Sequence, residues 1–237
     1  MSNVICLAGW SNTGKSTSLK YLDPSETFIV SCTNKQLQIP GFRKKYIKVS
    51  TAGGKLSGNW YVSNNYENIN KILKLVSATR PDIKVVVVDD INYCLSNEIM
   101  DNALEKGFEK FTRQAKNYYD LINGAQELRD DLTVVLISHI INDGTDLEPS
   151  LKLYSSGKML DKTVNLDGLF SYIIYTDKYI DDNDEVQYRF MTRTNGNDTC
   201  RSVAGCFDEK YIEPNMKLVI DTINKFENGE IEDSKSE

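Results

Sequence analysis

Histidine is almost absent from this chain: 237 residues contain one, His139. The five cysteines, Cys6, Cys32, Cys94, Cys200 and Cys206, form no C-x-x-C pair and are odd in number. These two scarcities argue against a structural zinc site and against a fully paired disulfide framework. The cysteines read instead as reduced core thiols of a cytosolic protein. No apolar run approaches the roughly 18 residues of a membrane span, and the first residues lack the basic-then-apolar pattern of a secretory leader. The expectation is therefore a cytoplasmic chain with no membrane partner.

Acidic residues are missing between Glu26 and Glu67, where Lys35, Arg43, Lys44, Lys45, Lys48 and Lys55 fall. That stretch is either a solvated face or a local polyanion-binding surface, with Trp60 and Tyr61 as stacking groups. The net charge of -6 argues against gripping nucleic acid with the whole surface. The opposite imbalance closes the chain. Glu227, Glu230, Glu232, Asp233 and Glu237 face one Lys235, so residues 227–237 read as a disordered, solvated tail after one domain over 1–226.

What the chain does have is a complete G-x-x-x-x-G-K-S phosphate loop, Gly9-Trp10-Ser11-Asn12-Thr13-Gly14-Lys15-Ser16. It follows the apolar run Val4 to Ala8 and precedes an expected helix, Lys15 to Leu22, which is the strand-loop-helix order the motif requires. Glycines let the backbone wrap a phosphate, and inward N–H groups at a helix start favour the anion. The nucleotide-binding set is Gly9 to Ser16 with the adjoining Thr17. Lys15 would neutralise the β- and γ-phosphates of ATP, and the Ser16 hydroxyl would ligate Mg²⁺.

Alternating strands and helices follow. Thr27 to Cys32 and Tyr46 to Ser50 read as strands, and Tyr66 to Arg80 as a helix stopped by Pro81. Asn92 to Asn123 reads as mostly helical, with Phe108, Phe111, Ala115, Tyr118, Tyr119 and Ile122 on one side. Val85 to Val88 and Leu132 to Ile140 have the continuous apolar character of parallel strands buried on both faces. Asn142 to Asp167 is a long polar segment without periodicity. Leu169 to Tyr179 and Val186 to Asn195 predict an antiparallel hairpin at the sheet edge, and a helix runs from Pro214 to about Phe226. The fold class is α/β: a mostly parallel central sheet flanked by helices, with that C-terminal hairpin on its edge.

Val85 to Asp90 is the second nucleotide signature. The valines place Asp89 at the carboxyl edge of the sheet, where it can share Mg²⁺ with Ser16. Asp90 either polarises the attacking water or caps the next helix. Ser138-His139 ends the next strand, where His139 either senses the γ-phosphate and its water or serves as a hydrogen-bonded structural group.

The phosphate loop, the VVVVDD strand, Leu136-Ile137-Ser138-His139 and Thr192-Arg193-Thr194-Asn195-Gly196-Asn197-Asp198-Thr199 together resemble the RecA-like P-loop ATPases of phages, a group of nucleotide-binding proteins that includes single-strand annealing recombinases. The resemblance runs from about Val4 to Ile223. Its subgroup rests on Ser155-Ser156-Gly157-Lys158, on T-R-T-N-G-N-D-T and on Gly205-Cys206-Phe207. It implies a RecA-like core binding ATP and Mg²⁺, assembly into homo-oligomeric rings or filaments, and single-stranded DNA binding in recombination or replication. It also implies a cation from one subunit reaching the γ-phosphate of its neighbour, a role for Arg193, Arg201 or Lys158. The DNA-contacting loop of such proteins would correspond to residues 142–167, whose Lys152, Lys158 and Lys162 are outnumbered by Asp143, Asp146, Glu148, Asp161 and Asp167. The family's usual catalytic Glu would stand near Ser31-Cys32-Thr33-Asn34-Lys35, which holds no carboxylate. Either Asp90 substitutes, or hydrolysis is slow and the nucleotide serves as a conformational ligand. A nucleotide-switched assembly or partner-binding protein is the alternative to DNA handling, and a small-molecule kinase is a weaker third reading.

Overall fold

The computed structural model describes residues 1–52, 55–107, 109–155 and 165–230. The apolar runs become strands: β1 (Asn3–Ala8), β2 (Thr27–Ser31), β3 (Trp60–Val62), β4 (Val85–Asp89) and β5 (Thr133–Ser138). Two short strands, β6 (Ile140–Asn142) and β7 (Leu151–Leu153), pair with each other. They are followed by β8 (Tyr172–Ile180), β9 (Val186–Met191) and β10 (Tyr211–Ile212). The helices are α1 (Phe42–Lys45), α2 (Tyr66–Thr79), α3 (Asn92–Asp101), α4 (Glu109–Gln126) and α5 (Met216–Glu227).

One sheet holds eight of these strands in the order β10-β9-β8-β1-β5-β4-β2-β3. From β8 to β3 every pairing is parallel, while β9 and β10 add antiparallel at the edge. Helical crossovers cover both faces, so strand side chains are apolar on both sides. Val4, Cys6, Val86 and Val88 enter a core beneath α2, α3 and α4, whereas Ile5, Leu7 and Val87 enter a second core beneath α1 and α5. In α2 the buried Ile69, Ile72, Leu73 and Val76 recur at helical spacing. Each contributes about 1.5–3 kcal/mol by leaving water. The Asn65 side chain caps that helix by accepting from the Asn68 N–H at 3.0 Å, and Asn215 caps α5 in the same way at 3.2 Å.

Several expectations need correction. The helix expected after the phosphate loop is present and is of the 3-10 type, over Ser16–Tyr21. Three short polar residues open it, and the Ser18 hydroxyl donates to the Lys15 carbonyl at 2.6 Å, competing with regular helical bonding. Residues 46–50 make isolated bridges, Lys48 with Trp60 and Ser50 with Ser57, not a strand. The helix expected over 92–123 is two helices. Gly107 adopts φ +96° between them, and Leu104 there is 97% exposed, so no apolar stripe continues across the break. Tyr119 is exposed and the buried face of α4 is Ala115, Tyr118, Leu121, Ile122 and Ala125; Phe108 lies outside the described residues. The segment 142–167 carries the β6–β7 hairpin. Its Asp167 is buried, accepting from the Leu153 N–H at 3.2 Å and the Thr199 hydroxyl at 2.6 Å. Lys158, Lys162, Asp161 and the rest of 156–164 lie outside the described residues, as does 231–237 of the expected tail. All five cysteines are buried and free. Among the described residues no helix is long and apolar enough to cross a membrane.

Candidate nucleotide site

β5 lies between β1 and β4, so the phosphate loop, His139 and the Asp89-Asp90 pair emerge side by side at the carboxyl edge. The register is direct: Ala8 pairs with Ser138, and the Gly9 N–H donates to the Ser138 carbonyl at 3.2 Å. Asn12 (φ +60°) and Gly14 (φ +88°) take left-handed backbone to turn the loop. Gly9 is required sterically, since a Cβ there would stand 1.9 Å from the Thr176 Oγ1. That Thr176, on β8, also hydrogen-bonds the Thr13 hydroxyl, so the strand next to β1 holds the loop from behind.

Lys15 is buried, and its Nζ donates to the carbonyls of Gly9 at 2.8 Å and Trp10 at 2.7 Å. Burial pushes its ammonium down to about 8, against the nearby Asp90 and Asp89 charges that raise it. The Ser16 hydroxyl donates to Asp89 Oδ1 at 3.1 Å, joining residues 73 positions apart. Burial and the charge of Asp90 push the Asp89 carboxyl up to about 7, against Ser16, Lys15 and Lys35. The two acids diverge. Burial also raises Asp90, but the His139 ring, with Nε2 3.4 Å from Asp90 Oδ1, and the charges of Lys15 and Lys35 hold it below its ordinary value. Asp90 sits at φ +59°, a conformation that costs energy for any residue with a Cβ and concentrates at functional positions.

These groups open on a cleft of about 600 Å³, with residues 11–18 on one side and Asp89, Asp90 and His139 on the other. Within it the structure brings together Ser11 to Thr17 and the Asp89-Asp90-His139 group, while Gly9 and Trp10 form the loop's base and offer carbonyls to Lys15. Arg193 is elsewhere: its Nη2 donates to the Asp208 carbonyl at 2.8 Å in an exposed turn after β9, and Arg201 bridges Ile173 on β8. Neither lines the cleft of its own chain.

Four contributors escaped sequence reasoning. Lys35, counted there with the basic stretch, lines this cleft beyond the end of β2. Tyr93 and Tyr188 line it too, the latter packing where a Gly14 Cβ would be 3.6 Å from its ring. Asn92, at the start of α3, is buried; its Oδ1 accepts from the His139 N–H at 2.6 Å and the Ser138 hydroxyl at 3.2 Å. Its position directly after Asp-Asp was the available signal, read only as the beginning of a helix. Trp60 also changes role. Its indole N–H donates to the Ser31 hydroxyl at 3.0 Å and its ring meets Phe42 edge-on at 5.1 Å, so it is a packing residue rather than a free stacking platform.

Buried Asp89 and the Ser16 hydroxyl are hard oxygen donors that fit a divalent cation such as Mg²⁺. Burial and the neighbouring Asp90 charge drive the Asp89 carboxyl toward its neutral form, and a cation there would favour the ionised form.

No family model matches the chain, and no curated protein matches it. Among solved structures it is similar to the genome packaging NTPase of Sulfolobus turreted icosahedral virus 2, solved in complex with ATP-gammaS, at 13% identity and a TM-score of 0.40. The similarity covers 77% of this chain and 78% of that one. At that TM-score it decides neither subgroup nor activity.

Proposed function

We propose that this chain is a Mg²⁺-dependent, RecA-like ATPase that couples ATP to the handling of single-stranded DNA in phage recombination or replication. The observation that carries the nucleotide reading is the Ser16–Asp89 contact of 3.1 Å beside a buried Lys15 whose ammonium rests on the loop's own carbonyls. Those carbonyls are poor partners compared with a triphosphate, and Lys15 transfers to the β- and γ-phosphates when ATP enters. The loop N–H groups complete the cradle. Ser16 and Asp89 would hold Mg²⁺, which supplies charge neutralisation to the phosphates. Asp90, kept ionised beside His139, accepts a proton from the attacking water, and His139 orients Asp90 and reports the γ-phosphate to β6. Arg193, Arg201 or Lys158 acts from a neighbouring subunit of a ring or filament.

Lys15→Ala removes the phosphate counter-charge. Charge-assisted contacts are worth about 1.5–3 kcal/mol, so ATP affinity should fall at least about tenfold. Unaltered affinity in a calorimetric titration would refute the site.

The nucleotide-switched, DNA-free reading is favoured by one observation, the acidic balance of 142–167 together with the net charge of -6. ATP turnover measured with and without single-stranded DNA, alongside mass by light scattering, separates the two. Stimulation by DNA supports the first, and ATP-dependent assembly without it supports the second.

A further inference from the structure

We propose that a shallow groove at the amino-terminal edge of the sheet, opposite the nucleotide cleft, is the phosphate-tracking surface for single-stranded nucleic acid. The inference rests on the DNA-handling reading above and gives it a location other than segment 142–167. The groove, about 770 Å³, is walled by residues 23–25 before β2, Gly58 and Asn59 before β3, Arg80 before β4, Lys44 and Lys45 at the end of α1, and Ile47 and Lys48 just after it. Every one of those strands runs away from it, so the groove and the nucleotide cleft are separated by the five residues of β2, about 15 Å.

Its shape is built in. Asn59 ties three loops together: its Nδ2 donates to the Pro24 carbonyl at 2.8 Å and the Lys45 carbonyl at 3.2 Å, and its Oδ1 accepts from the Ile47 N–H at 2.8 Å. Arg80 spends its guanidinium on structure, on the Gly58 carbonyl at 2.6 Å and on Asp82 at 2.7 Å. Gly58, at φ +80°, admits no side chain, because a Cβ would lie 2.5 Å from the Lys48 carbonyl oxygen. The charge that remains available is positive. Lys44, Lys45 and Lys48 are exposed, and among the described residues none has a carboxylate partner. Asp23, the acid on the wall, already accepts from the Ser25 N–H at 2.8 Å and its hydroxyl at 2.7 Å.

Three ammonium groups without carboxylate partners, that of Lys48 lying 5.6 Å from the Trp60 ring centre, with no inward-facing ring of N–H groups and no free guanidinium fork, suit a polymer of phosphates better than a single bound one. Ile47, 56% exposed among them, offers apolar surface to a sugar or base. A recess between three loops receives a strand, whereas a flat lipid surface would meet the rims. The same chain segment links the two edges: Lys35, Gln36 and Gln38 line the nucleotide cleft, and Gln36 accepts from Arg43 Nε at 3.1 Å at the head of α1.

The test is anisotropy of a labelled oligo-dT strand titrated with full-length protein over a range of salt. It compares the parent, Lys44→Gln/Lys45→Gln/Lys48→Gln, and a control of equal charge loss elsewhere, Lys74→Gln/Lys106→Gln/Lys225→Gln. Three lost phosphate contacts should flatten the log–log salt slope by about 2 and weaken binding at least about tenfold, with the control near the parent. ATP turnover without DNA should be the same in all three. Equal weakening in both triples, or none in the groove triple while the parent binds, overturns the groove and leaves the DNA reading standing. A parent that binds no oligo-dT overturns both. Capture by phosphatidylserine vesicles in place of oligo-dT overturns the assignment to nucleic acid.

Discussion

Asp89→Asn asks whether this cleft is arranged for a cation at the expense of the fold. Burial and Asp90 raise the Asp89 carboxyl from 3.8 to about 7. At 1.36 kcal/mol per pK unit, the ionised carboxylate withholds at most about 4 kcal/mol of stability. The sign follows from proton counting: between about pH 4 and 7 the folded chain keeps a proton that the unfolded chain has released. Stability therefore falls as pH rises through that window and levels off above it. Asparagine keeps the shape and the acceptor for Ser16 but removes the charge. Lys15, held down to about 8, gives up its proton more readily without Asp89, which trims the gain. Near pH 4.5 parent and variant should melt together. At pH 8 the variant should be more stable by about 2–4 kcal/mol, or roughly 4–16 °C in Tm for a chain of this size. Mg²⁺ with ATP should narrow the difference: a ligand at 100 times its Kd stabilises the parent by about 2.7 kcal/mol, and the variant loses the metal-dependent part. Thermal melts at the two pH values, with and without Mg²⁺ and ATP, read all of this. A variant no more stable than the parent at pH 8 would refute the reasoning.

Asp90→Asn tolerates the left-handed backbone and should leave ATP affinity within a few-fold while turnover drops about 10²-fold or more, the usual worth of a general base; undiminished turnover assigns Asp90 a structural role. Asn92→Ala leaves the His139 N–H without its acceptor, while the Ser138 hydroxyl keeps the His139 carbonyl, and should cost about 1–3 kcal/mol in urea denaturation together with a loss of turnover. Gly9→Ala drives a methyl into Thr176 and should cost about 1–3 kcal/mol, with ATP affinity falling in parallel. Adding Thr176→Ala should restore most of both, and a double variant as weak as Gly9→Ala would place the fault in the loop backbone instead.

Much of the fold was readable from periodicity. Valine-rich runs with no polar interruption have few options besides buried parallel strands, and Ile69, Ile72, Leu73 and Val76 could share a face only as a helix. What misled was competition at short range. The Ser18 hydroxyl bonds the Lys15 carbonyl where the chain tightens into a 3-10 turn, and Gly107 splits a helical stretch whose pattern looked continuous. Side-chain assignments suffered where a residue has two plausible environments. Trp60 meets Ser31 on the neighbouring strand and Phe42 on α1, and Lys35 belongs to the cleft because β2 ends beside β4, a fact about strand order and not about composition.

The phosphate loop, the Asp89-Asp90 strand end and the hairpin at the edge are local patterns, so the residues themselves determine them through backbone freedom and side-chain period. Strand order is different, because any parallel strand can pair with any other through its backbone. Only packing on both faces of the sheet selects β5 for the place between β1 and β4, bringing His139 and Asn92 beside Asp90. The same packing leaves Arg193 outside the cleft and gathers Lys44, Lys45 and Lys48 at the far edge. These relations join residues tens of positions apart, and burial in the folded chain decides them.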